Sequence, residues 1–503
     1  MAFGQSEIGF QPGLFGNRSK RASKGRWVDG NLVRFRDGVP AQVGGWNAPP
    51  VMRGPIVGRA RDMLAWRPNS QAGRYCAIGT HTNVYQFDGG ALTDITPSPF
   101  TPGRADSLVG AGYGAGLYGK DAYGTPRTGS ANLLDAATWT FDLYGDVLLG
   151  AYSSDGKIYR YQPGTDLRLV PLANAPTARA ICVTDERHVF AFGCDGDPTL
   201  VRWSDRENPT VWTPSSTNRA GSYNMQATSA FQCAKRARGQ LIAWTQTELF
   251  AFAPLNNSLV YSRDRLASSC GVMGPHAVAI VADPGGDVAY WMGSNSFWIY
   301  DGLVRKLTCE LQDYVFKDVN ILQRAKCFAA ANVAYGEVWF FYCSSSSNEI
   351  DRAVIYSYEN QTWSKATIGR LAWCDAGIFP LPLAVDIDGV IYEHESGETA
   401  NGDPMPSYVL SHPLTIGVGQ QMMQIADFWP DMEPASAPCD LTLVGRYYPG
   451  APDELFGPYR FDPSVEKIDL SIEVRQVQVK VSGTGGYWEL GAPLINIQPG
   501  SGR

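Results

Sequence analysis

Residues 147–164 read VLLGAYSSDGKIYRYQPG: an apolar run, a turn at Ser153-Ser154-Asp155-Gly156, a second run carrying Ile158, Tyr159 and Tyr161, then another turn. Such a unit predicts a β-hairpin, because the Asp-Gly turn supplies the positive φ angles that a tight reversal needs. Comparable units begin near Cys76 (CAIGTHTNVYQFDGG), Val189 (VFAFGCDGDPTLVRWSD), Leu241 (LIAWTQTELFAFAPLNN), Val288 (VAYWMGSNSFWIYDG), Val338 (VWFFYCSSSSNEIDRAVIYSYENQ) and Ala384 (AVDIDGVIYEHESG). After a first gap of 71 residues the spacings fall between 42 and 52. A lone hairpin is unstable in water, so the units must stack, and a period of about 40 to 50 residues suits four-stranded propeller blades. The copies share neither recurrent GH and WD pairs nor a sialidase-type Asp box. The expected fold is therefore all-β: a β-propeller of six or seven blades over residues 61–404. A pair of β-sandwiches is the alternative, since its turns recur every 8 to 12 residues or so.

Composition agrees with strands and turns. Charged residues make up 18% of 503, whereas Gly (54), Pro (33), Tyr (24) and Trp (14) are plentiful, and a chain beyond roughly 250–300 residues divides into domains. The net charge of −7 argues against gripping nucleic acid, which requires many Lys and Arg contacts to phosphate. That charge is uneven: residues 1–50 hold seven Lys+Arg against three Asp+Glu, so they are +4 and the remainder is −11. With no secretory signal after Met1 and no apolar run of membrane-spanning length, the expectation is a protein kept in the cytoplasm, without membrane insertion. The ten cysteines stand singly without a CxxC pair and read as buried free thiols.

Three segments fall outside the repeat. Residues 1–60 contain RWVDGNLVRFRDGVPAQVGGW (Arg26–Trp46), read as an exposed hairpin arm turning at Asp37-Gly38. Its basic residues Arg18, Lys20, Arg21, Lys24, Arg26, Arg34 and Arg36 form a candidate partner-contact surface, either for an acidic neighbouring subunit or for phosphate. Residues 102–135 are rich in Gly and predict a flexible inserted loop, with Tyr113, Tyr118, Lys120 and Tyr123 as candidate channel or interface contacts. Residues 405–503 predict a small C-terminal, sandwich-like β-domain, in which the alternation slips by one between Val474 and Val477, as at a β-bulge. One helix is expected near Glu310–Leu322, with Leu311, Val315, Val319 and Leu322 on one stripe.

Chemistry is sparse. The five histidines (His81, His188, His276, His394 and His412) show no ligand spacing, and no cysteine pair completes a zinc site, so no metal or cofactor is expected. Gly114–Gly119 matches GxGxxG by letter but neither follows a strand nor opens a helix. Asp386, Asp388, Glu393 and Glu395 lie near one another in sequence as two carboxylate glycosidase chemistry requires, but their turn placement points to solvated capping residues. No catalytic residues are assigned. Trp291, Trp298 and Trp339, if exposed, would offer stacking platforms for sugars, and on them rests the alternative of a glycan-binding or glycan-hydrolysing propeller. A scaffold propeller for host proteins is a further alternative.

The stretch Leu241–Trp363 resembles the β-propeller tail nozzle family of short-tailed bacteriophages, the tail tubular protein B or packaged-DNA-stabilisation proteins. The likeness lies in the succession GQLIAWTQTELFAF, GPHAVAIVADPGGDVAYWMGSNSFWIYDG, CELQDYVFKDV and GEVWFFYCSSSSNEIDRAVIYSYENQTWSKA, and in VRQVQVKVSGTGGYWEL and the VGGW that ends the arm. The resemblance spans about half the chain. It implies a hexameric ring of a virion tail protein, assembled in the bacterial cytoplasm below the portal and adaptor rings. The partners implied are further copies of the chain, tail fibre or spike proteins, and packaged duplex DNA that is retained and then ejected through the ring. An acidic lumen suits that role, because it repels phosphate and lets DNA slide.

Overall fold

The computed structural model describes residues 4–7, 9–17, 23–48, 56–109, 133–255, 257–416, 421–448 and 450–500. Among them are seven four-stranded antiparallel sheets that follow one another along the chain as the blades of a β-propeller. Their first strands are Ala60–Trp66, Trp139–Tyr144, Ala180–Val183, Phe231–Ala237, Val278–Val281, Phe328–Asn332 and Ala372–Cys374. The last packs directly on the first and closes the ring.

Each apolar run of the sequence repeat is the second strand of a blade. Val189–Phe192 and Glu337–Tyr342, for example, are buried at every position. A second strand is covered on both faces by neighbouring blades, so it reads as continuous apolar sequence rather than alternation. Rings fill the seams between blades: Phe192 against Phe231, Trp244 edge-on to Trp291 at 5.7 Å, Phe297 against Phe340 at 4.8 Å, Phe341 against Trp373, and Phe87 stacked on Phe379. Such pairs add about 0.5–1.5 kcal/mol beyond the area they bury.

The fourth strand of blade 7 comes from the other end of the chain. Trp46–Asn47 pairs antiparallel with His394 and Glu393, so the ring is fastened by hydrogen bonds between remote segments. The preceding Gly44-Gly45 permits this approach: a Cβ on Gly44 would sit 2.1 Å from Glu395 Oε2, and one on Gly45 2.5 Å from the Thr399 carbonyl oxygen.

The expected exposed arm is corrected. The hairpin Val33–Arg36/Val39–Gln42 is docked on the propeller, with Leu32, Val33 and Phe35 buried. Leu32 N–H donates to the Lys365 carbonyl on the outer strand of blade 6, and Thr367 N–H donates to Asn31 Oδ1. The segment thus covers an edge that would otherwise invite pairing. Nor do residues 1–60 form a unit of their own. Gln11–Leu14 and Arg26–Asn31 join Tyr408–Ser411, Gln476–Gly483, Cys439–Arg446 and Glu454–Phe461 in a six-stranded sheet, while Gly4–Glu7 adds to a four-stranded sheet with Leu494–Pro499, Met423–Trp429 and Ile468–Val474. Ile425, Phe428, Leu443, Val479 and Ile495 are buried in the core of this C-terminal region.

Two local expectations are also corrected. The parity slip near Arg475 is not a bulge: Ile468–Val474 lies in the four-stranded sheet and Gln476–Gly483 in the six-stranded one, so the chain changes sheets there. The helix is shorter than its stripe, spanning Gln312–Asp318. Val319 is extended, and Asn320 caps a separate 3-10 turn, Ile321–Lys326, by accepting from Leu322 N–H.

Candidate functional site

The basic N-terminal residues do not act together. Arg18, Lys20 and Arg21 lie outside the described residues. Lys24 and Arg36 are exposed, whereas Arg26 pairs with Glu310 at 3.1 Å and lies over the Phe15 ring. Arg34 is corrected outright as a partner contact, because it is buried inside this chain. It donates to Glu337 Oε1 (3.0 Å) and Oε2 (3.2 Å) on blade 6, and to Glu395 Oε1 (2.6 Å) and Oε2 (3.2 Å) just after the third strand of blade 7. The Tyr335 ring covers its guanidinium at 3.8 Å, Trp339 Nε1–H donates to Glu337, and Asn332 Nδ2 donates to Glu395. Burial works against the Arg34 charge, but Glu337 and Glu395 outweigh it and hold the group more firmly protonated than usual. Burial also pushes the Glu337 carboxyl up, against the pull of Arg34. The constellation clasps the N-terminal hairpin across the seam of blades 6 and 7.

A second charge cluster, in which Lys326 is wholly buried and Asp106 partly exposed, holds the base of the 102–135 insertion. Tyr113, Tyr118, Lys120 and Tyr123 lie outside the described residues, but the stem is formed by Leu108–Val109 paired with Leu133–Leu134. Gly103 N–H donates to the His81 carbonyl of blade 1, and Arg61 of blade 1 donates to the Ala105 carbonyl. Ser107 N–H donates to Gln323 Oε1, and Lys326, at the entrance of blade 6, pairs with Asp106 at 2.5 Å. On the returning side Asp135 pairs with Arg179 of blade 3 at 2.6 Å. Blades 3 and 6 stand on opposite sides of a seven-bladed ring, so the stem crosses one mouth of the central channel. Beside it lies a polar cleft of about 470 Å³ lined by Arg104, Asp135, Ser153, Asp155, Thr177 and Arg179.

The channel is also bridged within. His276, leading into blade 5, donates from Nε2 to the Trp139 carbonyl of blade 2 at 2.7 Å, and its Nδ1 stands 3.7 Å from Asp62 of blade 1. Segments of blades 2 and 5 in hydrogen-bond contact leave no bore for duplex DNA at that level.

The remaining histidines are tied into the framework. His81 accepts from Arg59 N–H, His188 donates to the Ser204 carbonyl, His394 accepts from Arg370 Nε–H and His412 accepts from Gly25 N–H. Burial lowers the pKa of all five, which keeps them neutral. Among the described residues no three His, Cys, Asp or Glu side chains converge to hold a metal. Asp386 caps its own turn by accepting from Asp388 and Val390 N–H, as turn chemistry predicts, but Glu395 is buried on Arg34 rather than solvated. Trp291 and Trp339 are buried in blade seams, and Trp298 is half-buried, stacked on Trp291 beneath Lys306. Of the three tryptophans only Trp298 keeps a partly exposed face.

Sequence reasoning missed Arg61, Asp106, Lys326 and Glu349 altogether. Nothing local marks them, because their partners lie as far as 288 residues away.

Neither a known protein family nor a curated protein matches the chain. Among solved structures it is similar to an exo-β-1,3-galactanase from Phanerochaete chrysosporium, at 10% identity and TM-score 0.29, over 73% of this chain and 97% of that one. It is also similar to a putative 6-phosphogluconolactonase from Bacteroides uniformis, at 11% identity and TM-score 0.36, over 70% of this chain and 92% of that one.

Proposed function

We propose that the chain is a structural subunit of a short-tailed phage particle, a tail nozzle that assembles as a hexameric ring below the portal and adaptor rings. It meets tail fibre or spike proteins and retains packaged duplex DNA until ejection. The observation that carries this reading is the sealed propeller: a stem crosses its axis, a histidine bridges it, and all five histidines serve as neutral framework groups. Such a body works by shape and assembly. Because each propeller is closed along its own axis, the DNA path runs between copies, through the middle of the ring. The −11 balance of the chain after residue 50 suits a wall that repels phosphate. The burial of Trp291 and Trp339 takes two of the three tryptophans from the glycan alternative and leaves it Trp298 alone.

Electron microscopy of the purified protein and of particles containing it tests the proposal. Six-fold rings at the tail are expected, and a dispersed monomer that never enters particles overturns it.

A further inference from the structure

We infer that Lys326 and Asp106 condense to an intramolecular isopeptide bond, with Glu349 as the proton carrier. The Lys326 side chain is wholly buried, and its Nζ reaches Asp106 Oδ1 at 2.5 Å, the Asn348 carbonyl at 2.6 Å and Glu349 Oε1 at 3.0 Å. Glu349 is held in turn by Arg61, whose Nη1 and Nη2 donate to its two oxygens at 3.0 and 2.8 Å. The amine, the carboxyl carbon it would attack and a second carboxylate are thus packed together before any reaction, and fixed proximity of this kind replaces the entropy cost of an encounter.

The charge arithmetic favours the reaction. Two cations, Arg61 and Lys326, face two anions, Asp106 and Glu349, and keeping the wholly buried Lys326 ammonium charged carries a desolvation cost. Condensation removes one charge of each sign and leaves Arg61 and Glu349 as a matched two-point pair. In the step, Glu349 relays one proton from the Nζ ammonium to Asp106, and the neutral Nζ then attacks Cγ of the protonated carboxyl. The C–N bond forms and the C–OH bond breaks. The hydroxyl leaves as water, carrying a second Nζ proton relayed through Glu349, which ends as the carboxylate it began. One amide and one water account for every atom, with no oxidant and no co-reactant. Asp106 is 42% exposed, which gives the water an exit. The product bolts the stem of the insertion to blade 6 across the channel mouth, joining positions 220 residues apart.

Mass spectrometry of the intact purified protein tests this without any variant. The chain is expected to be one water lighter than its sequence, and proteolysis should give a branched species joining the Asp106 and Lys326 peptides. Asp106→Asn should lose one ammonia instead, and Lys326→Arg should show the full sequence mass. A wild-type chain at full mass, with the two peptides recovered separately, overturns the proposal and leaves an ordinary ion pair.

Discussion

Replacing Arg34 with Ala tests whether the clasp holds the N-terminal segment to the ring. Four charge-assisted hydrogen bonds of 2.6–3.2 Å are lost, and two buried carboxylates, Glu337 and Glu395, are left facing each other. The four bonds do not add up, because a carboxyl deprived of its cation can take up a proton. Removing one partner of a buried ion pair costs about 3–5 kcal/mol, a large share of the roughly 5–15 kcal/mol by which domains are stable. The urea midpoint should therefore fall well below that of wild type, while exposed Arg36→Ala should stay within about 0.5 kcal/mol. The pH dependence supplies a second readout. The folded-state pKa of Glu337 is already raised by burial, and losing Arg34 removes the opposing pull. A carboxyl raised in the folded state binds protons there more readily than in the unfolded chain, so its contribution improves as pH falls toward the raised value and worsens as pH rises. The deficit of Arg34→Ala should accordingly narrow on acidification, and the triple variant with Glu337→Gln and Glu395→Gln should recover part of it. An unfolding free energy within about 1 kcal/mol of wild type, or a deficit that widens in acid, refutes the clasp.

The ring fastening predicts that Gly45→Ala, whose Cβ would press on the Thr399 backbone, loosens the pairing of Trp46 with His394. Hydrogen exchange at Trp46 and His394 should rise, and unchanged protection counts against the role of this strand. All five histidines have pKa values lowered from 6.5 by burial, so the unfolded chain binds more protons below that pH. Stability should fall as pH drops through about 6.5, by more than the two opposing carboxyls raised by burial, Glu337 and Asp375, restore, and urea midpoints that stay flat between about pH 8 and 5 contradict this. Among the ten thiols nine are buried, whereas Cys374 is half-buried, with its pKa lowered chiefly by a hydrogen bond from Cys76. A thiol reagent should label Cys374 first on the native protein and all ten only after unfolding. Fast labelling of several thiols would mean that the blade seams open readily.

The blades were legible because their second strands are buried on both faces and the turns between strands carry Asp and Gly, as at Asp155-Gly156. The seam rings had the same origin: Trp244, Trp291 and Trp339 lie in the repeat itself. What the sequence concealed depends on contacts between distant residues. Alternation in Val33–Arg36 looks like a wet hairpin because Arg34 is charged, yet its counter-ions are supplied by Glu337 and Glu395 some three hundred residues later. The slip at Arg475 carries the same signal whether a strand bulges or the chain leaves one sheet for the other, and only the partners of Ile468–Val474 distinguish the two. The helical stripe from Leu311 to Leu322 was real as a pattern, but Asn320 caps a new turn and cuts it in two. The cluster of Arg61, Asp106, Lys326 and Glu349 left no trace, because an isolated Lys or Asp in a loop looks like any other solvated charge.

Trp46–Asn47 has one further consequence, for how the chain is made. This strand leaves the ribosome early, but its partners Glu393 and His394 emerge about 350 residues later, as does Tyr408, the partner of Asn31. Translation at roughly 5–20 residues per second leaves these early strands unmatched for tens of seconds, the condition under which exposed edges misassociate. Neither the ring nor the terminal sheets can be completed until both ends of the polypeptide are present, so a nascent chain interrupted before residue 394 should be insoluble rather than a smaller propeller.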